Sequence, residues 1–237
     1  MLKKFRKFVL SHNPRSFWKR FAIMILAVTI MSFGASCYYQ SNLGADPYSA
    51  LVNSEHILMN ITVGQVTYIN NGLLLIFMLF FGRKYIHVGT LVFTFGTGVL
   101  IDLFNRLIST CFPPTELWMQ ILCLTSGLVC FSVGIALYVI ADLGINGIEC
   151  MALVFSRKTG CNLRWVRVGE DLLFVLLAVC IGLVAKATIF GDIIGVGTLV
   201  GAVGTGIIMK GFINLTGSKF DRWFGPLRKE AVPADRS

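Results

Sequence analysis

Few polar residues interrupt the long apolar stretches of this chain, and those that do come in matched places. Asn70 and Asn71 sit about one turn inside one apolar stretch, and Glu170 and Asp171 sit at a similar depth in another, one hundred residues on. Polar groups at membrane depth must find partners, and ionisable ones there are functional candidates. Such a set could bind a cation or relay a proton. The plainer reading puts Glu170 and Asp171 near an interface, at a helix N-terminus that favours acids, with Arg167 at helical spacing to pair with either. Asp102 lies deeper in a third stretch, four residues before Arg106. It reads as a structural ion pair with Arg106 or as an acid in an outer vestibule. Covalent and metal chemistry find no foothold. His12, His56 and His87 are scattered, no HExxH or Walker loop occurs, and no nucleophile stands near a base. The seven cysteines include no CxxC pair, so neither zinc nor a redox motif is indicated. The expectation is a non-enzyme with no catalytic residue, no metal and no cofactor.

The elements that must position these residues are written twice. Gly89-Thr90-Leu91-Val92 followed by Gly96-Thr97-Gly98 recurs as Gly197-Thr198-Leu199-Val200 followed by Gly204-Thr205-Gly206. Asn42-Leu43-Gly44 recurs as Asp142-Leu143-Gly144. An offset of 100 aligns the Leu-Gly pairs, Gly34 with Gly134, and Gly82 with Gly182; an eight-residue insertion raises it to 108 for the Gly-Thr motifs. Under that alignment Lys210 is the mate of Asp102, and it reads as a base snorkelling from the end of the last span. A duplicated unit between apolar stretches marks a transporter-like membrane architecture.

Composition fixes the class. The 237 residues are 55% hydrophobic and 14% charged, against about 25% charged in soluble domains. That is too little polar surface for a water-soluble globule. Apolar stretches of the roughly 20 residues a bilayer requires begin near Phe21, Val66, Ile86, Leu117, Val166 and Ile193. None alternates with period two as a barrel strand would. The reading is an all-α polytopic membrane helix bundle with six transmembrane helices. With the N-terminus inside, 19 of the 21 Lys and Arg residues fall on one side. Cations are retained on the cytoplasmic face, so both termini are expected in the cytoplasm and the bundle in the inner membrane. The net charge of +9 then reflects topology and does not indicate nucleic acid. The basic, aromatic ends, 1–20 and 216–237, read as arms lying on anionic inner-leaflet lipid.

Residues 21–108 form one membrane repeat and 117–215 the other, within one membrane domain. Each reads as span, short segment, span, turn, span. Three is odd, so the second repeat starts on the opposite side from the first, giving two inverted 3+3 repeats. The short segments, 46–59 and 146–160, follow the Leu-Gly pairs and cannot span. Asp46 suits an N-cap and Pro47 a first helical turn. Counting both segments as spans would move Arg83, Lys84 and the cations from Arg157 to Arg167 outside, against the charge rule. Two placements remain. Re-entrant segments would aim two positive helix N-termini at a central site; interfacial helices would only brace the bundle. The candidate solute contacts are Gly44, Asp46, Tyr48 and Asn146 on these segments, Asn70, Asn71, Glu170 and Asp171 on the spans, and Thr90 and Thr198 in the Gly-Thr motifs. The glycine faces, including Gly191-Gly195 and Gly197-Gly201, read as close packing of the third and sixth spans at the bundle centre. They also offer a surface for a homodimer.

Leu43-Gly44-Ala45-Asp46-Pro47-Tyr48, Val63-Gly64-Gln65 and Gly89-Thr90-Leu91 together resemble the YczE/YyaS/YitT-type bacterial integral membrane proteins, most closely the YczE-like branch. The resemblance runs from about Phe21 to Phe212. It implies a bacterial inner-membrane protein and brings no catalytic residue with it. Tyr48 stands where many relatives have Trp, and Asn42 where many have Gly. Two functions fit the whole. One is a small-solute secondary transporter or permease, carrying an unknown solute or ion through a pseudo-symmetric midplane site. The other is a non-transporting accessory or regulatory protein that acts through its cytoplasmic arms.

Overall fold

The computed structural model describes residues 14–44, 46–186 and 195–224. Among these the regular structure is helical throughout. Helix α1 (Pro14–Ser41) leads through a short loop to α2 (Pro47–Met59), then α3 (Val63–Phe81), a 3₁₀ turn at Arg83–Tyr85 and α4 (Val88–Cys111). The second half repeats the order with α5 (Leu117–Ala141), α6 (Gly147–Thr159), α7 (Leu163–Val184) and α8 (Val196–Phe224). Helices stand at all six places where spans are expected; the expected start of the last one, near Ile193, and Gly191 lie outside the described residues. Among the described residues four helices, within α1, α3, α4 and α5, are long and apolar enough to cross a bilayer. Helix α7 is 22 residues long, with Arg164, Arg167, Glu170 and Asp171 in its first half and an exposed apolar face at Leu172, Leu176 and Leu183.

Local chemistry sets the helix ends, and mates use the same devices. Asp46 caps α2, its carboxylate accepting from the Ser49 N–H, and Asn146 caps α6, its side chain accepting from the Glu149 N–H at 2.8 Å. Thr62 caps α3 with a reciprocal bond from Gln65, and Asn162 caps α7. Each cap satisfies backbone donors that the first turn leaves without partners. The short helices stop alike too, at Asn60 and Gly160, both left-handed.

The bundle centre is the α1–α5 pair, not the third and sixth spans expected there. Gly34 lets α1 meet the Phe131 backbone, and Gly134 lets α5 meet the Met31 backbone; these residues are repeat mates contacting each other crosswise. Met24, Ala27 and Val28 of α1 interlock with Leu137, Tyr138 and Ala141 of α5. Helix α4 packs on α1 and α8 on α5, so the two Gly-Thr helices flank the central pair. Their small residues serve a different approach, described below. Arg20, counted with the basic arm in the sequence, is 3% exposed and donates to the Ala141 carbonyl at the end of α5. There it meets carbonyls that the helix leaves unbonded.

Each short helix crosses to the other half. Ala50 and Leu51 of α2 pack on Phe174 and Ala178 of α7, with Tyr48 and Phe174 edge to face at 5.6 Å. Cys150 and Val154 of α6 pack on Met78 of α3. The mates of Phe174 and Ala178 are Leu74 and Met78, so the exchange is mutual. All seven cysteines are free.

Candidate functional site

The Leu-Gly loops are exchanged as well. The Gly197 N–H donates to the Leu43 carbonyl at 2.9 Å, and the Gly89 N–H donates to the Leu143 carbonyl at 2.9 Å. Each loop from one half thus docks on the first turn of the last helix of the other. Asn42 and Asp142 enter the left-handed region at φ 51° and 50°, followed by Gly44 at 88° and Gly144 at 136°. Only glycine accepts the second of these positions readily. A Cβ on Gly44 would also lie 2.5 Å from the Gly195 nitrogen, and one on Gly144 2.8 Å from the Thr90 hydroxyl. Thr90 donates to the Ile145 carbonyl at 2.9 Å, and Thr198 accepts from the Gly195 N–H at 3.3 Å. These two threonines hold the loops in place.

The docked loops bring the N-termini of α2 and α6 to one cavity of about 630 Å³. Of the residues the sequence nominates, Asp46, Tyr48, Asn71, Asn146 and Asp171 line it. Gly44, Thr90 and Thr198 lie behind it at the loop contacts, and Asn70 is taken up by a hydrogen bond to Glu55 of α2. Glu170 is 6% exposed, and neither carboxylate oxygen accepts a hydrogen bond. Of the two acids Arg167 is expected to pair with, it is near enough to act on the charge of both Glu170 and Asp171, but it makes no hydrogen bond to Glu170.

The lining follows the repeat. Ten pairs of mates face the cavity from the two halves, among them Asp46 with Asn146, Asn71 with Asp171 and Thr97 with Thr205. On the first-half wall, the Tyr48 hydroxyl donates to the Asn71 oxygen at 3.3 Å, and the Asn71 amide donates to Thr97 at 2.9 Å. Asp171 replaces Asn71 on the opposite wall. The two helix N-termini add partial positive charge. Three acids (Asp46, Glu149, Asp171) and three bases (Arg164, Arg167, Lys210) share the lining, so it is balanced in formal charge but not uniform.

Ten lining residues lack a mate in the cavity although each has one in the sequence, and six of them are Arg164 and Val168 of α7 and Ala202, Gly206, Ile207 and Lys210 of α8. The mates of these six are Gly64, Tyr68, Thr94, Gly98, Val99 and Asp102, of which Gly64, Tyr68, Gly98 and Asp102 sit where α3 and α4 close on each other. A Cβ on Gly64 would collide with the Gly98 carbonyl and the Asp102 carboxylate; one on Gly98 would lie 2.6 Å from the Gly64 carbonyl. Asp102 accepts from the Thr62 hydroxyl at 2.6 Å and from the Gly64 N–H at 2.8 Å. It therefore does not form the expected pair with Arg106, which is exposed. The α3 N-terminus offers hydrogen-bond donors at closer quarters than a long side chain one turn away. No comparable packing joins α7 to α8 among the described residues, and the cavity opens there. The sequence reading passed over Arg164, and it assigned Arg167 and Lys210 to roles outside a site. The available signal was the mate relation of Arg164 to Gly64 and of Lys210 to Asp102.

Apolar helices around a largely apolar cavity with polar groups on both walls define an integral membrane protein with an internal chamber. Residues 18–214 match the family described as "Family of unknown function (DUF6198)", and the chain belongs to that family. It is similar to "Uncharacterized membrane protein YczE" of Bacillus subtilis (strain 168), 29% identical over 81% of this chain and 84% of the relative. It is also similar to "Uncharacterized protein YyaS" of the same strain, 26% identical over 82% of this chain and 92% of the relative. An "Uncharacterized protein" of Haemophilus influenzae is 21% identical over 84% of this chain and 85% of its own length. No solved structure matches the chain.

Proposed function

We propose that the chain is a small-solute secondary transporter or permease of the bacterial inner membrane, built from two inverted 3+3 repeats with both termini cytoplasmic. The six spans are α1, α3, α4, α5, α7 and α8. Helices α2 and α6 enter from opposite faces as re-entrant elements, and the solute binds between their N-termini. The observation that carries this reading is the cavity lined by ten pairs of repeat mates. Transporters of this kind bind substrate near the midplane, between half-helices related by an in-plane pseudo-two-fold axis. The closed α3–α4 seam then lies on the outer side and the open α7–α8 seam on the inner side, so the chamber faces the cytoplasm. The solute is held by polar recognition and needs no covalent chemistry. The accessory-protein reading relies on the arms at 1–20 and 216–237, largely outside the described residues, and no observation favours it over transport.

Accessibility tests the reading. Single cysteines replacing Tyr48 or Ile148, in a background without native cysteines, should both react with an impermeant maleimide in inside-out vesicles and neither in intact cells. Reaction of Tyr48→Cys only from outside and Ile148→Cys only from inside would mean two separate pockets and end the shared-chamber reading. No reaction from either side would mean a sealed void and leave α2 and α6 as braces.

A further inference from the structure

The open seam carries a charge pattern that the closed seam does not. Where the repeat puts Gly64, Thr67 and Asp102 in the first half, it puts Arg164, Arg167 and Lys210 in the second. All three cations line the cavity and all three are exposed at its mouth. In the first half, one carboxylate closes the corner, because Asp102 accepts from both Thr62 and Gly64. In the second half, that carboxylate is replaced by an ammonium and the glycine it meets by a guanidinium. Two like charges then line the two sides of the seam, Arg164 on α7 and Lys210 on α8, and desolvating them without a counter-charge is unfavourable. The Arg164 and Lys210 side chains take part in no ion pair among the described residues. Arg167 is the one of the three beside acids, Glu170 and Asp171.

We infer that Arg164, Arg167 and Lys210 form an oxyanion site at the α7–α8 mouth, and that a bound phosphate- or carboxylate-type group closes this seam as Asp102 closes α3 on α4. The inference rests on the paired-halves reading of the cavity and adds a ligand class and a closing step to it. Two guanidinium forks suit planar or tetrahedral oxygens, and the ammonium supplies a point charge opposite them. The Asn162 cap leaves further N–H groups of the first turn of α7 on the same side, where the helix dipole favours an anion. The oxyanion is either a free solute in the chamber or the headgroup of an anionic lipid reaching in through the seam. Snorkelling cations at a cytoplasmic surface are the plain alternative, and they predict no change in the α7–α8 distance.

The test is a spin-label distance between Trp165→Cys on α7 and Leu215→Cys on α8, two exposed positions outside the cavity lining, in a background without native cysteines. The full chain is placed in phosphatidylcholine nanodiscs and titrated with inorganic phosphate, then placed in discs containing phosphatidylglycerol. Shortening with phosphate identifies a free anion; shortening only with phosphatidylglycerol identifies the lipid headgroup; no shortening with either overturns the inference. Arg164→Gly combined with Lys210→Asp restores the first-half pattern and should give the short distance with neither ligand. Should that variant fail to fold, Arg167→Gln keeps the question open to refutation: its half-saturating phosphate concentration should rise about ten-fold, and an unchanged value counts against the site. A chamber accessible to maleimide with no anion-driven closure would remove this inference and leave the transport reading in place. Closure without an accessible chamber would do the reverse.

Discussion

At the start of α3, Thr62 caps the helix and Gly64 admits α4; at the start of α7, Asn162 caps the helix and Arg164 stands where the glycine stood. Both corners follow a left-handed residue, Asn60 or Gly160, and each opens a helix with a side-chain cap, Thr62 accepting from the Gln65 N–H and Asn162 from the Arg164 N–H. The two corners nevertheless differ in state, one sealed by an acid and the other open and lined with cations. One residue without a side chain and one carboxylate separate a closed helix–helix seam from a chamber mouth. On the closure inferred above, the packed half shows what the open half would look like once closed. Small residues allow the close approach at α3–α4, and the Asp102 carboxylate holds it by accepting from Thr62 and Gly64.

The contrast is most severely tested by exchanging residues between corners. Gly64→Arg should force α3 from α4 and cost at least about 3 kcal/mol, the upper range for overpacking, seen as a large fall in melting temperature in detergent. Arg164→Gly should leave the melting temperature unchanged or raise it. Equal losses from both exchanges would mean that the corners are not counterparts. Next in size come the loop glycines. Gly44→Ala should cost about 2–3 kcal/mol and Gly144→Ala about 1–2 kcal/mol, within the range for strained backbone. The order follows from what each Cβ meets, the Gly195 backbone at one and a movable Thr90 hydroxyl at the other. A reversed order in thermal or denaturant unfolding would break the assignment. Asp102→Asn should cost about 1.5–3 kcal/mol, as for hydrogen bonds to a charged group, while Lys210→Gln should cost nothing measurable in the absence of an anion. The smallest effect is expected at the chamber wall. Asn71→Leu removes the links to Tyr48 and Thr97 and should cost about 0.6–1.7 kcal/mol, the scale of hydrogen bonds between membrane helices. Asp171→Asn, at the mate position, should not destabilise.

The helix order was readable because it rests on local chemistry: apolar length, caps such as Asp46-Pro47, and a repeat with a constant offset. Half of the nominated contacts reach the chamber for the same reason, since Asp46 and Asn146 mark helix starts that the loops can only aim inward. Other features were hidden because they depend on distant partners. Asp102 was matched with Arg106 by the i, i+4 rule, which sees one helix at a time, whereas its partners are 38 and 40 residues away. Thr90 and Thr198 looked like contacts for a ligand because their motif is repeated, but repetition equally marks a structural joint. The central position of α1 and α5 was also beyond reach. Gly34 and Gly134 were recognised as mates, yet nothing in the spacing says that each meets the other's helix.

The exchanged loops have a consequence for how the chain is made. Leu43 finds its partner at Gly197, and α2 finds its packing surface at Phe174 and Ala178. When a ribosome has delivered the chain as far as Cys111, every helix of the first half is present and Val52 can pack on Ala35, Val66 and Ile101, but the Leu43 loop and the Ala50–Leu51 face of the short helix lack their partners. That half must wait with one face of α2 uncovered until α7 arrives, and with its loop undocked until α8 does. Neither half is an independent ancestral unit in its present form: each supplies the other's missing wall. Two separately expressed halves should accordingly be short-lived alone and protect each other from membrane proteolysis when made together.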